Sequence, residues 1–217
     1  MATKIAVIIS GEGSNLQALI NACADKEFPA NIVLVISNNP EANGLKKADA
    51  AGIQRKIIYE DRHSTRESFD EEMAEHIKSA GVELICLAGF MRLLSPKFVN
   101  DWQDKIINIH PSLLPAFKGL NVHSRVLKMG TMFSGCTVHF VRPDVDDGPI
   151  LIQSVVPVLP NDSEETLGAR VLAQEHIIYP MAVRWIAQNR VKVVSCHTEI
   201  QGSIKRPRSV INPYEYN

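Results

Sequence analysis

The sequence predicts an α/β protein with a mostly parallel central sheet, helices on both faces, and antiparallel strands towards the C-terminal end. Three observations carry this. Short β-branched apolar runs alternate with amphipathic stretches through the first half of the 217 residues, the order that builds crossover units. Several of these runs are apolar throughout rather than every second residue, as strands covered on both faces require. After Pro115 two β-rich runs follow one another across the polar turn Arg142-Pro143-Asp144-Val145-Asp146-Asp147-Gly148-Pro149, which favours an antiparallel pair over another crossover.

In order, Lys4-Ile5-Ala6-Val7-Ile8-Ile9-Ser10 is the first strand, followed by Gly11-Glu12-Gly13-Ser14-Asn15 and a helix over 16–26. A second strand, 32–37, ends in the turn signal Asn38-Asn39-Pro40. A short helix over 44–51 is closed by Gly52, and 54–59 is a third strand. Thr65 opens a charged helix that runs through 80 and stops at Gly81. The fourth strand, 82–88, leads into Gly89-Phe90-Met91-Arg92. Ser95-Pro96 then starts a short helix, since proline suits a first turn. Residues 106–110 make a fifth strand that stops at Pro111, and 134–141 and 150–158 are the two later β runs. Asn161-Asp162-Ser163-Glu164-Glu165 begins a helix with acids in its first turn. That helix is expected to reach 178, break at Pro180 and resume to 189. Residues 1–200 read as a single domain, and 201–217 as an extended tail.

Composition narrows the function. A net charge of -1 gives no electrostatic reason to expect nucleic acid or an anionic membrane as partner. Cys23, Cys86, Cys136 and Cys196 are scattered with no CxxC pair, which argues for reduced thiols in the cytoplasm and against structural zinc. No histidines stand in a HExxH pair, so no metal is expected. There is no signal segment and no apolar run long enough to span a bilayer. Small molecules are the expected partners.

Two stretches can carry chemistry. The loop after the first strand offers free backbone N–H groups and a positive helix end to an anion. It lacks the third glycine of a dinucleotide fingerprint and the Gly-Lys-Ser/Thr of a Walker loop, so it suits a phosphate monoester. A plain glycine turn with Ser14 as helix cap is equally open. The second stretch is Asn108-Ile109-His110, where alternation points both polar side chains the same way. That places them at the carboxyl end of a strand, where open α/β sheets bind ligands. A satisfied core pair is the competing reading. Asp144, Asp146 and Asp147 are available to orient the imidazole, although an Asp-Asp-Gly-Pro turn is also an ordinary solvated connection. A carboxylate beside an imidazole favours the cation, and a cationic His beside an Asn amide is a suitable donor pair for a developing oxyanion. No Ser or Cys sits in a nucleophile elbow, which disfavours a covalent acyl-enzyme.

Taken together, Ser10-Gly11-Glu12-Gly13-Ser14-Asn15-Leu16-Gln17, Ala88-Gly89-Phe90-Met91-Arg92-Leu93-Leu94-Ser95, Asn108-Ile109-His110-Pro111-Ser112-Leu113-Leu114-Pro115 and Val138-His139-Phe140-Val141 running on to Asp146 resemble the folate-dependent formyltransferases of purine synthesis. The resemblance runs to about residue 189. It implies a Rossmann-like formyltransferase fold, with 10-formyltetrahydrofolate as co-substrate and a glycinamide ribonucleotide as acceptor. It further implies Asn108, His110 and Asp146 as the catalytic trio, and Gly13, Ser14, Asn15, Arg170 and Glu175 as ribonucleotide contacts. Folate contacts would be Arg66, Met91, Arg92, Leu93, Leu94, Asn108, Arg142, Pro143, Asp144, Val145 and Asp146, with His139 supporting the trio. Three positions depart from the family pattern: Asp147 stands where a glycine is common, Glu12 puts a negative side chain in the phosphate loop, and Thr137 replaces a frequent serine. Formyltetrahydrofolate deformylases share the trio but usually carry an extra N-terminal domain. Methionyl-tRNA formyltransferases need a C-terminal RNA-binding domain, for which the chain is too short. A phosphate- or folate-binding module without catalysis is the non-enzymatic alternative, against which the intact trio speaks.

Overall fold

The computed structural model describes residues 2–202 and 209–213. Among them, seven strands make the central sheet. β1 (Thr3–Ile9), β2 (Ala30–Ser37), β3 (Arg55–Ile57), β4 (Leu84–Leu87) and β5 (Ile106–His110) run parallel. β6 (Phe133–Phe140) and β7 (Ile150–Pro157) complete it as an antiparallel extension. Side by side the order is β3-β2-β1-β4-β5-β6-β7. The chain winds outward from β1 in one direction and then returns to start again from β4, so the order reverses between these two strands. Helices α1 (Ser14–Cys23), α2 (Asn43–Ala50), α3 (Arg66–Ser79), α4 (Pro96–Asp101), α5 (Val122–Met129) and α6 (Glu164–Ala187) cover the faces.

Strand alternation divides the interior into two layers. Ile5, Val7 and Ile9 of β1 join Leu16 and Leu19 of α1 and Leu167, Val171, Tyr179 and Val183 of α6 on one side. Ala6 and Ile8 join Phe69, Met73 and Ile77 of α3 and Phe98 of α4 on the other. The doubly covered strands are the reason the early runs are apolar at every position. Thr65 and Ser95 cap α3 and α4, each accepting from a backbone N–H three residues on.

Three expectations need correction. The third strand is shorter than 54–59, because at the sheet's edge it pairs only with β2. Residues 122–129, unassigned from the sequence, form α5, and beyond α6 a hairpin follows, β8 (Val191–Val194) with β9 (His197–Ile200). Most clearly, α6 passes through Pro180 without a break. A proline inside a helix costs about 3 kcal/mol, but the second half buries Ala182 and Val183 completely. Tyr179, also fully buried, donates its hydroxyl to the Leu87 carbonyl at 2.7 Å. Burial at roughly 1.5–3 kcal/mol per large apolar side chain outweighs the lost backbone bond. Of the expected tail at 201–217, residues 203–208 and 214–217 lie outside the described residues. Asn212 reaches back to donate to the Met132 carbonyl at 2.6 Å. Among the described residues no helix is long and apolar enough to cross a membrane.

Candidate active site

The reversal between β1 and β4 opens a crevice at the carboxyl ends of the strands, the place where such sheets bind ligands. Its floor is stitched by the Ser10 N–H donating to the Gly89 carbonyl at 3.1 Å. A cavity of about 650 Å³ extends from there along the end of β5 to the turn before β7. Asn15, Asn108, His110, His139, Asp146 and Glu175 all reach its wall.

Asn108 and His110 do lie on one face, and their neighbours fix how they are presented. His110 is 6% exposed. Its Nε2 lies 3.0 Å from the Phe117 carbonyl, and its Nδ1 lies 3.4 Å from Asp146 Oδ2. A carbonyl can only accept, so Nε2 carries a proton, and Asp146 lies close enough to Nδ1 to pair with the ring when both nitrogens are protonated. Asp146 is held in turn by the Gly119 N–H at 2.7 Å, and its backbone sits at φ 46, in the left-handed region. The neighbouring Asp147 faces outward and pairs with Lys118 at 2.6 Å.

Asn108 stands opposite His139 across the β5–β6 ladder. The His139 Nδ1–H donates to the Phe140 carbonyl at 3.0 Å, which leaves Nε2 as a lone-pair acceptor for the Asn108 amide at 3.2 Å. Burial holds the His139 pKa below that of an ordinary imidazole, in keeping with a neutral ring. The contact turns the Asn108 nitrogen in a set direction and leaves its second N–H free of this histidine.

The glycine loop is built on a close approach. Gly13, at φ 66, is the N-cap of α1, and a Cβ there would meet Gly44 Cα of α2 at 2.6 Å. Ser14 is therefore the first helical residue rather than the cap, and its side chain makes no capping bond. The first backbone bond of the helix is Gln17 N–H to the Gly13 carbonyl, so the N–H groups of Ser14, Asn15 and Leu16 are left without helical partners. Glu12 turns aside to accept from Asn43 at 2.8 Å, which removes the objection to a negative residue in this loop. Deeper in, Asn15 Nδ2 donates to Glu175 Oε2 at 2.6 Å, while Asn15 Oδ1 is buried with no partner. Burial raises the Glu175 pKa above the ordinary carboxylate range, and the Asn15 bond offsets part of this.

Other expected contacts divide. Met91, Leu93, Leu94, Pro143, Asp144 and Val145 line the cavity. Arg92 and Arg142 reach it too, but their guanidinium groups are engaged, by Glu60 and Asp104 respectively. Arg66 begins α3 and is absent from the wall. So is Arg170, whose two nitrogens grip Asp162 at 2.7 and 2.8 Å and brace the start of α6. The sequence reading missed His123 on α5, whose Nδ1 is buried without a partner and whose pKa burial lowers. The Val122 and Val126 spacing, with Gly130 as a stop, was the available signal for α5. Among the described residues no group of three or more His, Cys, Asp or Glu side chains is placed to hold a metal.

An amide, an imidazole and a carboxylate gathered in a crevice at the reversal point of a doubly wound sheet mark an α/β enzyme. The sequence matches the formyl transferase family model over residues 3–183. The phosphoribosylglycinamide formyltransferase of Haemophilus influenzae is 43% identical over 190 residues, 88% of this chain and 90% of that one. The trifunctional purine biosynthetic protein adenosine-3 of Drosophila pseudoobscura is 50% identical over 194 residues, 88% of this chain. The chain spans only 14% of that protein's length, and 19% or less of the similar trifunctional relatives from chicken, cattle and Drosophila melanogaster. Glycinamide ribonucleotide transformylase 1 from Symbiobacterium toebii superimposes with a TM-score of 0.91 at 42% identity, covering 93% of this chain and 95% of that one. The chain belongs to the formyl transferase family.

Proposed function

We propose that the protein transfers the formyl group of 10-formyltetrahydrofolate to the amine of 5-phosphoribosylglycinamide, a cytoplasmic step of purine synthesis. The carrying observation is that Asn108, His110 and Asp146 share one cavity with Asn15 and Glu175, so donors for an oxyanion lie between an anion loop and a wall of exposed apolar residues. The neutral amine attacks the formyl carbon, forming a C–N bond and moving the carbonyl electrons onto oxygen. Asn108 and cationic His110 stabilise that oxygen. The His110 Nε2–H is the donor to redirect, because its present acceptor, the Phe117 carbonyl, is neutral, whereas Nδ1 is anchored by Asp146. His110, or a water held by Asp146, then moves a proton from the attacking nitrogen to N10 of the folate, and the C–N10 bond breaks. Asn15, Ser14 and Gly13 hold the phosphate end of the acceptor, and Glu175 the glycinamide portion. The folate lies along Met91–Leu94 and residues 142–146.

The test is turnover of 10-formyltetrahydrofolate by purified protein with and without the ribonucleotide, with the formylated product identified. Transfer should depend on the ribonucleotide. Equal folate turnover in its absence would mean hydrolysis of the formyl group and would overturn the proposal.

A further inference from the structure

The loop that follows β4 presents Met91 and Leu93 to solvent, at 68% and 54% exposure. One ring of side chains ties it down. The Met91 N–H donates to Ser10 Oγ at 2.9 Å, and Ser10 Oγ donates to Asn38 Oδ1 at 2.7 Å. Asn38 Nδ2 donates to Glu60 Oε1, and Glu60 Oε2 pairs with Arg92 Nη1 at 2.6 Å. Arg92 follows Met91 in the chain, so the ring closes on itself. Its direction is forced. A backbone N–H can only donate, so Ser10 must accept there and spend its single proton on Asn38. Asn38 must then present its nitrogen to Glu60, which can only accept. Beyond the ring, Arg92 lies over the Phe69 ring at 4.3 Å, and Asn39 Nδ2 holds the Ser10 carbonyl at 3.2 Å. The ends of β1, β2 and β4 are thus coupled through the 3₁₀ turn Glu60–Arg62.

The Arg92 cation is already matched by a carboxylate and an aromatic face. Held at one nitrogen by Glu60 and over one face by Phe69, the group braces the loop from which it projects. We propose that Arg92 is a positioning residue and that the Ser10–Asn38–Glu60–Arg92 ring holds Met91–Leu94 in the shape that receives the folate. This rests on the assignment of that loop to folate, and the experiment separates the two.

Two formyl donors are compared, 10-formyltetrahydrofolate and the 10-formyl derivative of tetrahydropteroate, which lacks the glutamate. Arg92→Ala, Glu60→Ala and Ser10→Ala should each raise KM for both donors by the same factor, about three- to tenfold for a lost hydrogen bond, and should change kcat less than KM. Ser10→Thr keeps the hydroxyl and should restore the native KM. If Arg92 were a ligand, Arg92→Ala would raise KM for the glutamylated donor alone, and Glu60→Ala would lower it by freeing the cation. Either result overturns the proposal. Hydrogen exchange at the Met91 amide is a readout that needs no turnover. It should quicken in Glu60→Ala and Ser10→Ala, and unchanged exchange would refute the ring even if native protein used neither donor, which would itself refute the transferase reading.

Discussion

Replacing Asp146 by Asn removes one charge and little else. The amide oxygen can still accept the Gly119 N–H that now binds Asp146 Oδ2 at 2.7 Å, and Asn tolerates the left-handed backbone at this position at least as well as Asp. What is lost is the attraction to the imidazolium that the proposed transfer uses. Two unit charges at the observed 3.4 Å interact by about 5 kcal/mol at an effective dielectric of about 20. Reorientation and entering water reduce this, so about 3–5 kcal/mol, or roughly 10²–10⁴-fold in kcat, is the expected loss. Asp147 differs: its side chain is 51% exposed and paired with a lysine at the surface, an interaction worth about 0–1 kcal/mol. Asp147→Asn should therefore cost less than about fivefold. Steady-state formyl transfer with both substrates saturating gives the two values, and thermal melting of both variants shows whether the fold is intact. Equal losses, or a greater loss at Asp147, would refute the assignment of the orienting carboxylate.

Other perturbations test the rest of the site. Glu175 has a raised pKa from burial, so the folded protein holds its proton to higher pH than the unfolded chain. Stability is then lost as pH rises from the ordinary glutamate value through the raised one. Glu175→Gln should match native protein in Tm near pH 4 and exceed it by a margin that grows through that window and levels off above it, while raising KM for the ribonucleotide; a pH-independent Tm difference would count against the sign. Gly13→Ala combines a strained φ with a clash against Gly44 and should destabilise by about 2–4 kcal/mol, read from urea unfolding. Ser14→Asp places a negative charge at the free N–H groups and should raise KM for the ribonucleotide at least tenfold, with the folate KM nearly unchanged; an unaffected ribonucleotide KM would remove the phosphate from this loop. Tyr179→Phe removes the hydroxyl's bond to the Leu87 carbonyl and should cost about 1 kcal/mol in the same unfolding experiment.

What the sequence disclosed follows the range of the forces involved. Strand alternation put Asn108 and His110 on one face, because that is a local property of the backbone. Thr65 and Ser95 were legible as helix starts for the same reason. Pro180 misled because a local penalty was overruled by distant burial around Tyr179, which only the assembled sheet supplies. The partners that hold His110 and Asp146, the Phe117 carbonyl and the Gly119 N–H, are backbone groups and leave no mark in side-chain chemistry. Nor could composition tell that Arg92 and Arg170 would be neutralised by Glu60 and Asp162. A charged residue announces its sign in a sequence, but not which partner will take it up.

The contact between Gly13 and Gly44 has a wider meaning for the anion loop. With no side chain on either residue, the start of α1 rests directly on the start of α2, and the Gly44 N–H donates to the Gly11 carbonyl at 3.1 Å. The loop therefore has no slack with which to adapt to its ligand. Its curvature is inherited from where α2 sits, and α2 in turn is seated by Leu45 and Ala48 in the apolar interior. A core substitution beneath α2, far from any reacting atom, would retune the proposed grip on phosphate as surely as a change within the loop.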